Sequence, residues 1–386
     1  MEDFCLLKRY FIHTTRHKMD LYYYVKNKII NLLSIQILSI TFLLLLPSCK
    51  DNVVSSMAPG DTTWTYLGLG HEWITSIAVD PTNPNIIYAG SRYEFSDGTP
   101  GRFFKSVNGG KTWDTMIVNY GAIYTSIIIS PQNSDIIYAA SLGIIKSCDA
   151  GTTWTEQDNG IRIIPEEVGI EALAMDPKNN KTLYAGAGGP SGGGMYKTTD
   201  GGANWNIIGG DSLGDGVISI AINPVDPNII YAGTAGACFV WKSIDAGHSW
   251  KRTGLGENGL IKSICINPTD TEQIFVGTAM QGGVPIWESK DGGNTWKACV
   301  QGNQSNVIIC NSLVFNPSEP FDLYEGGTGV YNKNCQNCSW VEMNNGLPDS
   351  RIDILILDKD FNLYSGLENL ESTSTGGIYK QRIIHK

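Results

Sequence analysis

Acidic side chains recur at a fixed place in this sequence, and they are the first candidates for chemistry. The pattern Ser/Thr-x-Asp/Asn-x-Gly-x-x-Trp occurs in five clear copies. Its polar and aromatic members are Asn108 and Trp113, Asp149 and Trp154, Asp200 and Trp205, Asp245 and Trp250, and Asp291 and Trp296. Five equivalent positions do not make five active sites, and Asn108 keeps a hydrogen-bond acceptor without the charge. Such oxygens accept bonds from turn amides, glycine supplies a positive φ and tryptophan packs between sheets, so we interpret these residues as structural.

A second element lies between these turns and indicates what must position them. Asp80-Pro-Thr-Asn-Pro-Asn-Ile-Ile-Tyr88-Ala-Gly is its clearest copy. The aromatic counterparts of Tyr88 are Tyr138, Tyr184, Tyr231, Phe275, Tyr324 and Tyr364. Each repeat supplies four short strands, and four-stranded sheets with one aromatic motif each are typical of propeller blades. The sequence therefore predicts an all-β fold, a seven-bladed β-propeller of four-stranded blades over residues 62–386.

The phase of the repeat predicts how the ring closes. A strand at 63–65 fits the fourth place in a blade, whereas the chain ends with a third strand at 377–380. We therefore expect the N-terminal strand to complete the last blade, because this pairing hides the sheet edges.

The five clear copies resemble the Asp-box (BNR) repeat. This repeat occurs in sialidases, xyloglucanase-type glycosidases, sortilin-type receptor ectodomains and the assembly-factor propellers of photosynthetic membranes. The resemblance covers nearly all of residues 62–386 and implies the propeller fold. It also implies that the Asp-box turns lie on the face opposite the ligand site. Because one scaffold serves all four roles, the resemblance leaves the function open.

Departures from the repeat indicate where a ligand would bind. The longest loops between second and third strands belong to the first and seventh blades, which are neighbours in a closed ring, and Gly70-His71-Glu72-Trp73 connects them. The predicted ligand-binding residues are His71, Trp73, Arg92, Tyr93, Glu371 and, from the longest connection between two blades, Arg162. Aromatic rings would stack on a sugar or a peptide, and the charged groups would supply polar contacts. A solvated set of loops without a ligand is the alternative.

The function favoured by these observations is a non-catalytic, membrane-anchored scaffold that recognises a protein or a glycan. The sequence lacks the FRIP-like start of sialidases. Xyloglucanase-type enzymes join two propellers and place a catalytic pair between them, whereas this chain has one, with Ser91 and Arg92 where that family has an aspartate. A glycoside hydrolase is the alternative, with an acid/base pair among Glu72, Glu94, Asp97 and Glu368. Such a pair needs carboxyl groups roughly 5–10 Å apart. A sortilin-like peptide binder is a third possibility.

The N-terminal segment has the pattern of an export signal. Ile29 to Leu46 is apolar, follows Lys26 and Lys28, and leads into Leu46-Pro-Ser-Cys49. These last residues resemble the lipobox of bacterial lipoproteins, which implies lipidation of Cys49. Polar residues interrupt the apolar run and disfavour a transmembrane anchor. We expect a signal peptide at 1–48, with Met19 as an alternative start, a lipid-anchored linker at 49–61, and export to the bacterial outer membrane or cell surface.

Charge and cysteine content restrict the partners. The chain has 28 basic and 38 acidic residues and a net charge of −10, so it lacks the basic surface that nucleic acid binding needs. Cys335-Gln-Asn-Cys338 is the one close cysteine pair, for which we favour a disulfide over free thiols. A zinc site would need two more ligands at the usual spacing. We expect no metal or cofactor, a monomer, and contact with the membrane through the lipid anchor alone.

Overall fold

The computed structural model describes most of the chain after residue 62. The described residues are 63–92, 100–116, 123–162, 169–188, 193–214, 216–235, 239–255, 259–279, 286–299, 309–316, 322–334, 339–348, 351–369 and 376–383. The predictions for Cys49, Tyr93, Glu94, Asp97, Glu371, Cys335 and Cys338 lie outside them. Within these ranges the regular structure is twenty-eight β-strands and one 3-10 helix, Gly210–Leu213. None of the described helical structure has the length and hydropathy needed to cross a bilayer.

The strands form seven antiparallel four-stranded sheets in chain order. Blade 1 contains β2 (Ile74–Val79), β3 (Ile87–Ser91), β4 (Phe103–Ser106) and β5 (Asp114–Met116). Blade 2 contains β6 (Ser126–Ile129), β7 (Ile137–Ala140), β8 (Ile144–Ser147) and β9 (Thr155–Glu156). Blade 3 contains β10 (Gly169–Asp176), β11 (Asn179–Gly188), β12 (Gly194–Thr198) and β13 (Asn206–Ile208). Blade 4 contains β14 (Val217–Ile222), β15 (Ile230–Thr234), β16 (Val240–Ser243) and β17 (Lys251–Arg252). Blade 5 contains β18 (Leu260–Ile266), β19 (Ile274–Ala279), β20 (Ile286–Ser289) and β21 (Lys297–Ala298). Blade 6 contains β22 (Cys310–Asn316), β23 (Asp322–Gly327), β24 (Val330–Asn334) and β25 (Ser339–Glu342).

Blade 7 joins the two ends of the propeller. It contains β26 (Ile352–Leu357), β27 (Asn362–Leu367), β28 (Gly377–Arg382) and the N-terminal strand β1 (Thr65–Gly68). Thr65 pairs with Lys380 and Tyr66 with Tyr379. The predicted seven-bladed propeller and its closure by the first strand are therefore confirmed, with the first strand beginning two residues later than predicted.

The position of each strand in its blade follows from its sequence. Second strands such as β3, with the sequence Ile-Tyr-Ala-Gly-Ser, are buried along their whole length because neighbouring blades cover both faces. Fourth strands such as β17 (Lys251–Arg252) are short and exposed. First strands of neighbouring blades contact each other all the way round, including β26 and β2, so the first strands surround the central axis.

The Asp-box turns join each blade to the next. In blade 4, Ser243 Oγ accepts a hydrogen bond from the amide of Gly247 (2.8 Å), and Asp245 Oδ1 accepts one from the amide of Ser249 (2.8 Å). The carbonyl oxygen of Ala246 in this turn accepts bonds from Tyr184 Oη (3.2 Å) and Lys197 Nζ (2.9 Å) of blade 3. Equivalent Tyr and Lys pairs bind Ala150, Gly201 and Gly292. The turns thus contribute to cohesion around the ring.

Candidate functional site

A β-bulge near the start of the first strand directs one side chain out of the regular pairing in six blades. The residue skipped by the register is Thr75, Glu171, Ile218, Lys262, Asn311 or Asp353. Bulges re-aim side chains and are common beside functional sites. Because the first strands surround the axis, the bulges place Glu171, Lys262 and Asp353 around the central channel.

Asp353 is the most extensively bound of these residues. Trp73 Nε1 donates a hydrogen bond to Asp353 Oδ2. Asn311 Nδ2 lies 3.3 Å from Asp353 Oδ1 and also donates to the carbonyl oxygen of Ile352 at 2.9 Å. Loss of surrounding water raises the pKa of Asp353, although the bond from Trp73 and the positive charge of Lys262 oppose this rise. The carboxyl group is therefore held in a fixed place with an increased tendency to keep its proton.

Glu368 and Glu72 lie at the seam between blades 7 and 1, and an arginine pairs with each of them. Arg351 Nε is 3.4 Å from Glu368 Oε2, and Arg102 Nη2 is 3.2 Å from Glu72 Oε1. Both glutamates are buried. Burial raises the pKa of Glu368; the charge of Arg351 opposes the rise, and that of Asp353 adds to it. Glu368 is therefore electrostatically coupled to Asp353.

Arg92 connects the seam to the channel. Its guanidinium carbon lies 4.3 Å from the centroid of the Trp73 ring, and its amide donates to the Trp73 carbonyl oxygen at 3.1 Å. The positive charge of Arg92 opposes the rise that desolvation causes in the pKa of Asp353, of Glu368 and of Glu171. One cation thus acts on three carboxyl groups from blades 3 and 7.

Glu171 lies on the channel wall of blade 3. Solvent reaches Glu171, but the protein atoms around its carboxylate remove part of the water that would otherwise hydrate it. This desolvation raises the pKa of Glu171, against the charges of Lys262 and Arg92. No group of three or more His, Cys, Asp and Glu side chains within the described ranges has the arrangement of a metal site.

The structure brings together most of the predicted site residues that it describes. His71, Glu72, Trp73, Arg92 and Glu368 all lie at the seam, where Asn369 Nδ2 donates to the carbonyl oxygen of His71 at 3.0 Å. Arg162 does not join them. It is exposed between blades 2 and 3, where its amide donates to Tyr196 Oη at 3.3 Å.

The residues of the channel that were not predicted from the sequence are Glu171, Lys262, Asn311 and Asp353. Functional residues were expected in the loops, whereas these four lie within strands. A signal was nevertheless present. When the first strands are aligned by repeat, each of these residues occupies the position of Thr75 in blade 1.

Comparison with known proteins supports the fold and directs attention to one enzyme class. No protein-family model matches the chain. A xyloglucanase from Hypocrea jecorina is 28% identical over 253 residues, 55% of this chain and 30% of that protein. Xyloglucanase Xgh74A from Acetivibrio thermocellus is 26% identical over 267 residues, 59% of this chain and 32% of that protein. The chain spans about a third of the length of these curated relatives.

Solved structures give the same fold from two sources. A GH74 enzyme from Niastella koreensis superposes with a TM-score of 0.59 at 21% identity, covering 79% of this chain and 52% of that one. YCF48 bound to a D1 peptide superposes with a TM-score of 0.61 at 12% identity, covering 85% of this chain and 99% of that one. The chain is thus a seven-bladed β-propeller with structural neighbours among GH74 and YCF48 propellers.

The curated relatives correct the favoured functional prediction. We expected a non-catalytic, membrane-anchored binding or assembly scaffold. The non-catalytic scaffold is wrong because these relatives are named xyloglucanases, whereas the anchoring stays a prediction. They support the glycoside hydrolase alternative. The seam within this propeller brings carboxyl groups beside an aromatic ring, so the glycoside hydrolase alternative does not depend on a second propeller.

Proposed function

We propose that this protein is a glycoside hydrolase that acts on a polysaccharide of the xyloglucan class. The observation that carries the proposal is the pair Asp353 and Glu368. Both carboxyl groups have raised pKa values, they are electrostatically coupled, and Asp353 accepts a hydrogen bond from Trp73. Alignment of more than half of the chain with proteins named xyloglucanases supports the choice of substrate class.

The chemistry of glycoside cleavage assigns a role to each carboxyl group. One must be protonated to donate to the leaving oxygen, and the other must be ionised to act as base or nucleophile. Glu368 is the proposed acid, because burial and the nearby charge of Asp353 both favour its protonated form. Asp353 is the proposed base or nucleophile, because donors at Trp73 and Asn311 stabilise a carboxylate.

Trp73 is the proposed sugar platform. It is partly exposed, and Arg92 covers one face of its ring. A sugar ring would stack on the other face, with Glu368 close to its glycosidic oxygen. The xyloglucanase-type family implies an aspartate where this chain has Ser91 and Arg92, so the proposed reaction relies on carboxyl groups from blade 7 instead.

The test is hydrolysis of purified polysaccharides by the full chain. Xyloglucan should yield new reducing ends, and an undecorated β-glucan should yield fewer. Glu368→Gln and Asp353→Asn should each abolish most of the release. Asp149→Asn is the matched control, because the same carboxyl-to-amide change occurs naturally at Asn108 in blade 1. Absence of products from every polysaccharide, or full activity in both seam variants, would contradict the proposal.

We also propose that the enzyme acts outside the cytoplasm, anchored through Cys49. The support is the resemblance of Leu46-Pro-Ser-Cys49 to a lipobox. In cell fractionation, the full chain should sediment with membranes, whereas Cys49→Ala should not. Equal distribution of the two proteins would refute anchoring through this cysteine.

A further inference from the structure

The interface between blades 5 and 6 departs from the regular pattern of the ring. In blade 4, Lys242 pairs with Tyr231 and donates from Nζ to the carbonyl oxygen of Gly292 in the next blade, at 2.8 Å. In blade 5 the residue in the place of this lysine is Glu288, which pairs with Phe275. An acceptor therefore replaces the donor at this interface.

Blade 6 carries a matching departure. Lys333 pairs with Leu323, in the place where blade 5 has Ser289 opposite Ile274. Lys333 Nζ lies 3.7 Å from Glu288 Oε2. The charged donor thus lies on blade 6 and its acceptor on blade 5, and the lysine lies where blades 1 to 5 have a buried hydroxyl.

A cysteine is the third departure at the same place. Cys299 follows the fourth strand of blade 5, where blades 2 and 4 have Gln157 and Thr253 with equivalent backbone bonds. Its Sγ lies 3.3 Å from Lys333 Nζ and 4.0 Å from Glu288 Oε2. Three residues that break the repeat therefore contact one another.

The surroundings hold these groups together and leave one side near the solvent. Cys299 and Lys333 are each 7% exposed, and the Lys333 ammonium lies 4.9 Å from the centroid of the Phe275 ring. Glu288 Oε1 is 3.7 Å from Nζ of Lys290, whose side chain is 75% exposed. Glu288 therefore connects the buried thiol to an exposed lysine, and we expect a small oxidant to approach from this side.

We propose that Cys299 and Lys333 form a covalent sulfur–nitrogen crosslink when the protein meets a peroxide. In the first step the thiolate of Cys299 attacks the peroxide, which gives a sulfenic acid and, with one proton, water. In the second step the neutral amine of Lys333 attacks the sulfur, an S–N bond forms and the S–O bond breaks. The thiol and amine together lose two hydrogen atoms, and each hydrogen peroxide molecule yields two molecules of water.

Glu288 is the positioning residue for this reaction. Its carboxylate lies near both the thiol and the ammonium, so it can take the proton that each must lose. Two of the three protons that the thiol and the ammonium lose leave with the two displaced hydroxide groups as water, and the third passes to the solvent. The product ties the end of blade 5 to the third strand of blade 6, at the one described interface where the lysine and its acceptor are exchanged.

The experiment is peptide mass spectrometry of the full chain before and after treatment with hydrogen peroxide. The expected product joins the Cys299 and Lys333 peptides, is lighter than their sum by two hydrogen atoms, and resists trypsin after Lys333. Thiol reductant should reverse it. Cys299→Ser and Lys333→Arg should lack the product, and Lys333→Arg keeps the positive charge near Glu288. Exposed Cys148 is an internal control that should oxidise without loss of an amine.

Glu288→Gln separates positioning from packing. It should slow crosslinking and change the pH dependence of the crosslinking rate. The unfolding temperature of the untreated protein should change little. The proposal is overturned if wild-type Cys299 becomes a sulfinic acid, or a disulfide with Cys265 or Cys310, while the Lys333 amine stays intact. That outcome is measured on the wild-type protein, so it is decisive even if a variant fails to fold.

Discussion

The Asp-box turns and the seam both collect carboxyl groups, but the two environments shift the pKa values of these groups in opposite directions. In the turns, hydrogen bonds from Thr153 lower the pKa of exposed Asp149 to about 2, and bonds from Ser249 do the same for Asp245. At the seam, desolvation raises the pKa of Asp353 and of Glu368. The turn carboxylates are fixed as charged acceptors, whereas the seam carboxyl groups can exchange protons nearer to neutral pH.

This difference distinguishes the structural acids of the turns from the proposed catalytic acids of the seam. The most conspicuous acids in the sequence are the least suited to acid catalysis, because several donors stabilise their charged form. The acids suited to it lie where two blades and a bulged strand remove water. Variants in the turns and at the seam can therefore test whether the two groups of acids differ in role.

The largest effect should come from the seam acids. Glu368→Gln or Asp353→Asn removes the proposed acid or base, so hydrolysis should fall by about 10²–10⁴-fold, the usual worth of general acid or base catalysis. Initial rates of reducing-end release measure the loss, and circular dichroism checks the fold. If Asp149→Asn reduced the rate as much, the distinction between seam and turn would fail.

A buried carboxyl group outside the seam should affect the stability of the fold and not hydrolysis. Glu325 is such a group. It is 0% exposed in β23 (Asp322–Gly327), and burial raises its pKa well above the ordinary 4.5. The folded state therefore holds a proton that the unfolded state releases, so stability should fall as pH rises above about 4.5, by at most about 1.4 kcal/mol per pH unit.

Urea unfolding from pH 4 to pH 8 measures that slope. Glu325→Gln should flatten it and leave hydrolysis unchanged, because the buried side chain cannot reach a substrate. The exposed Glu342→Gln in the same blade is the control and should leave the slope in place. An unaltered slope in Glu325→Gln would show that this carboxyl is not the proton-linked group.

The turn side of the contrast is tested at Ser243. Its buried hydroxyl accepts from the amide of Gly247 at 2.8 Å and donates to Asp245 Oδ1 at 2.8 Å. Ser243→Ala leaves that amide without its partner and should cost about 1–3 kcal/mol of unfolding free energy. Ser243→Thr should cost less, because Thr198 fills the same place in blade 3. Equal losses in both variants would point to packing rather than to the hydrogen bond.

The smallest expected change is a shift of the pH–rate profile in Trp73→Phe. The variant keeps an aromatic ring and removes the donor to Asp353, so the pKa of Asp353 should rise further. The acidic limb of kcat/KM should move to higher pH. Trp113→Phe removes an indole donor to the Leu67 carbonyl oxygen instead and should leave the limb in place. A limb that does not move in Trp73→Phe would remove Asp353 from the assignment.

Much of the fold was readable from the sequence because its contacts repeat locally. The amide of Thr153 and Oδ1 of Asp149 are four residues apart, and the same bond recurs at every clear Asp box with an aspartate. The phase of the strands also predicted that β1 (Thr65–Gly68) completes blade 7. The loop lengths directed attention to the seam near Trp73 and also to Arg162, which lies between other blades.

The site itself was only partly predictable. Trp73 and Asp353 are 280 residues apart, and nothing in either local sequence identifies the other as its partner. The direction of the Asp353 side chain depends on a bulge, a shift of one residue that an apolar strand pattern does not reveal. The same limit applies to Cys299 and Lys333, which meet across two blades.

The repeat, its turns and the number of blades follow from the amino-acid sequence, because hydrogen bonds within a few residues and side-chain alternation specify these features. Which carboxyl groups lose their water, and which cations face them, depends on the folded ring. Desolvation and charge coupling depend on everything packed around a group, and in this ring that packing comes from blades far apart in the chain.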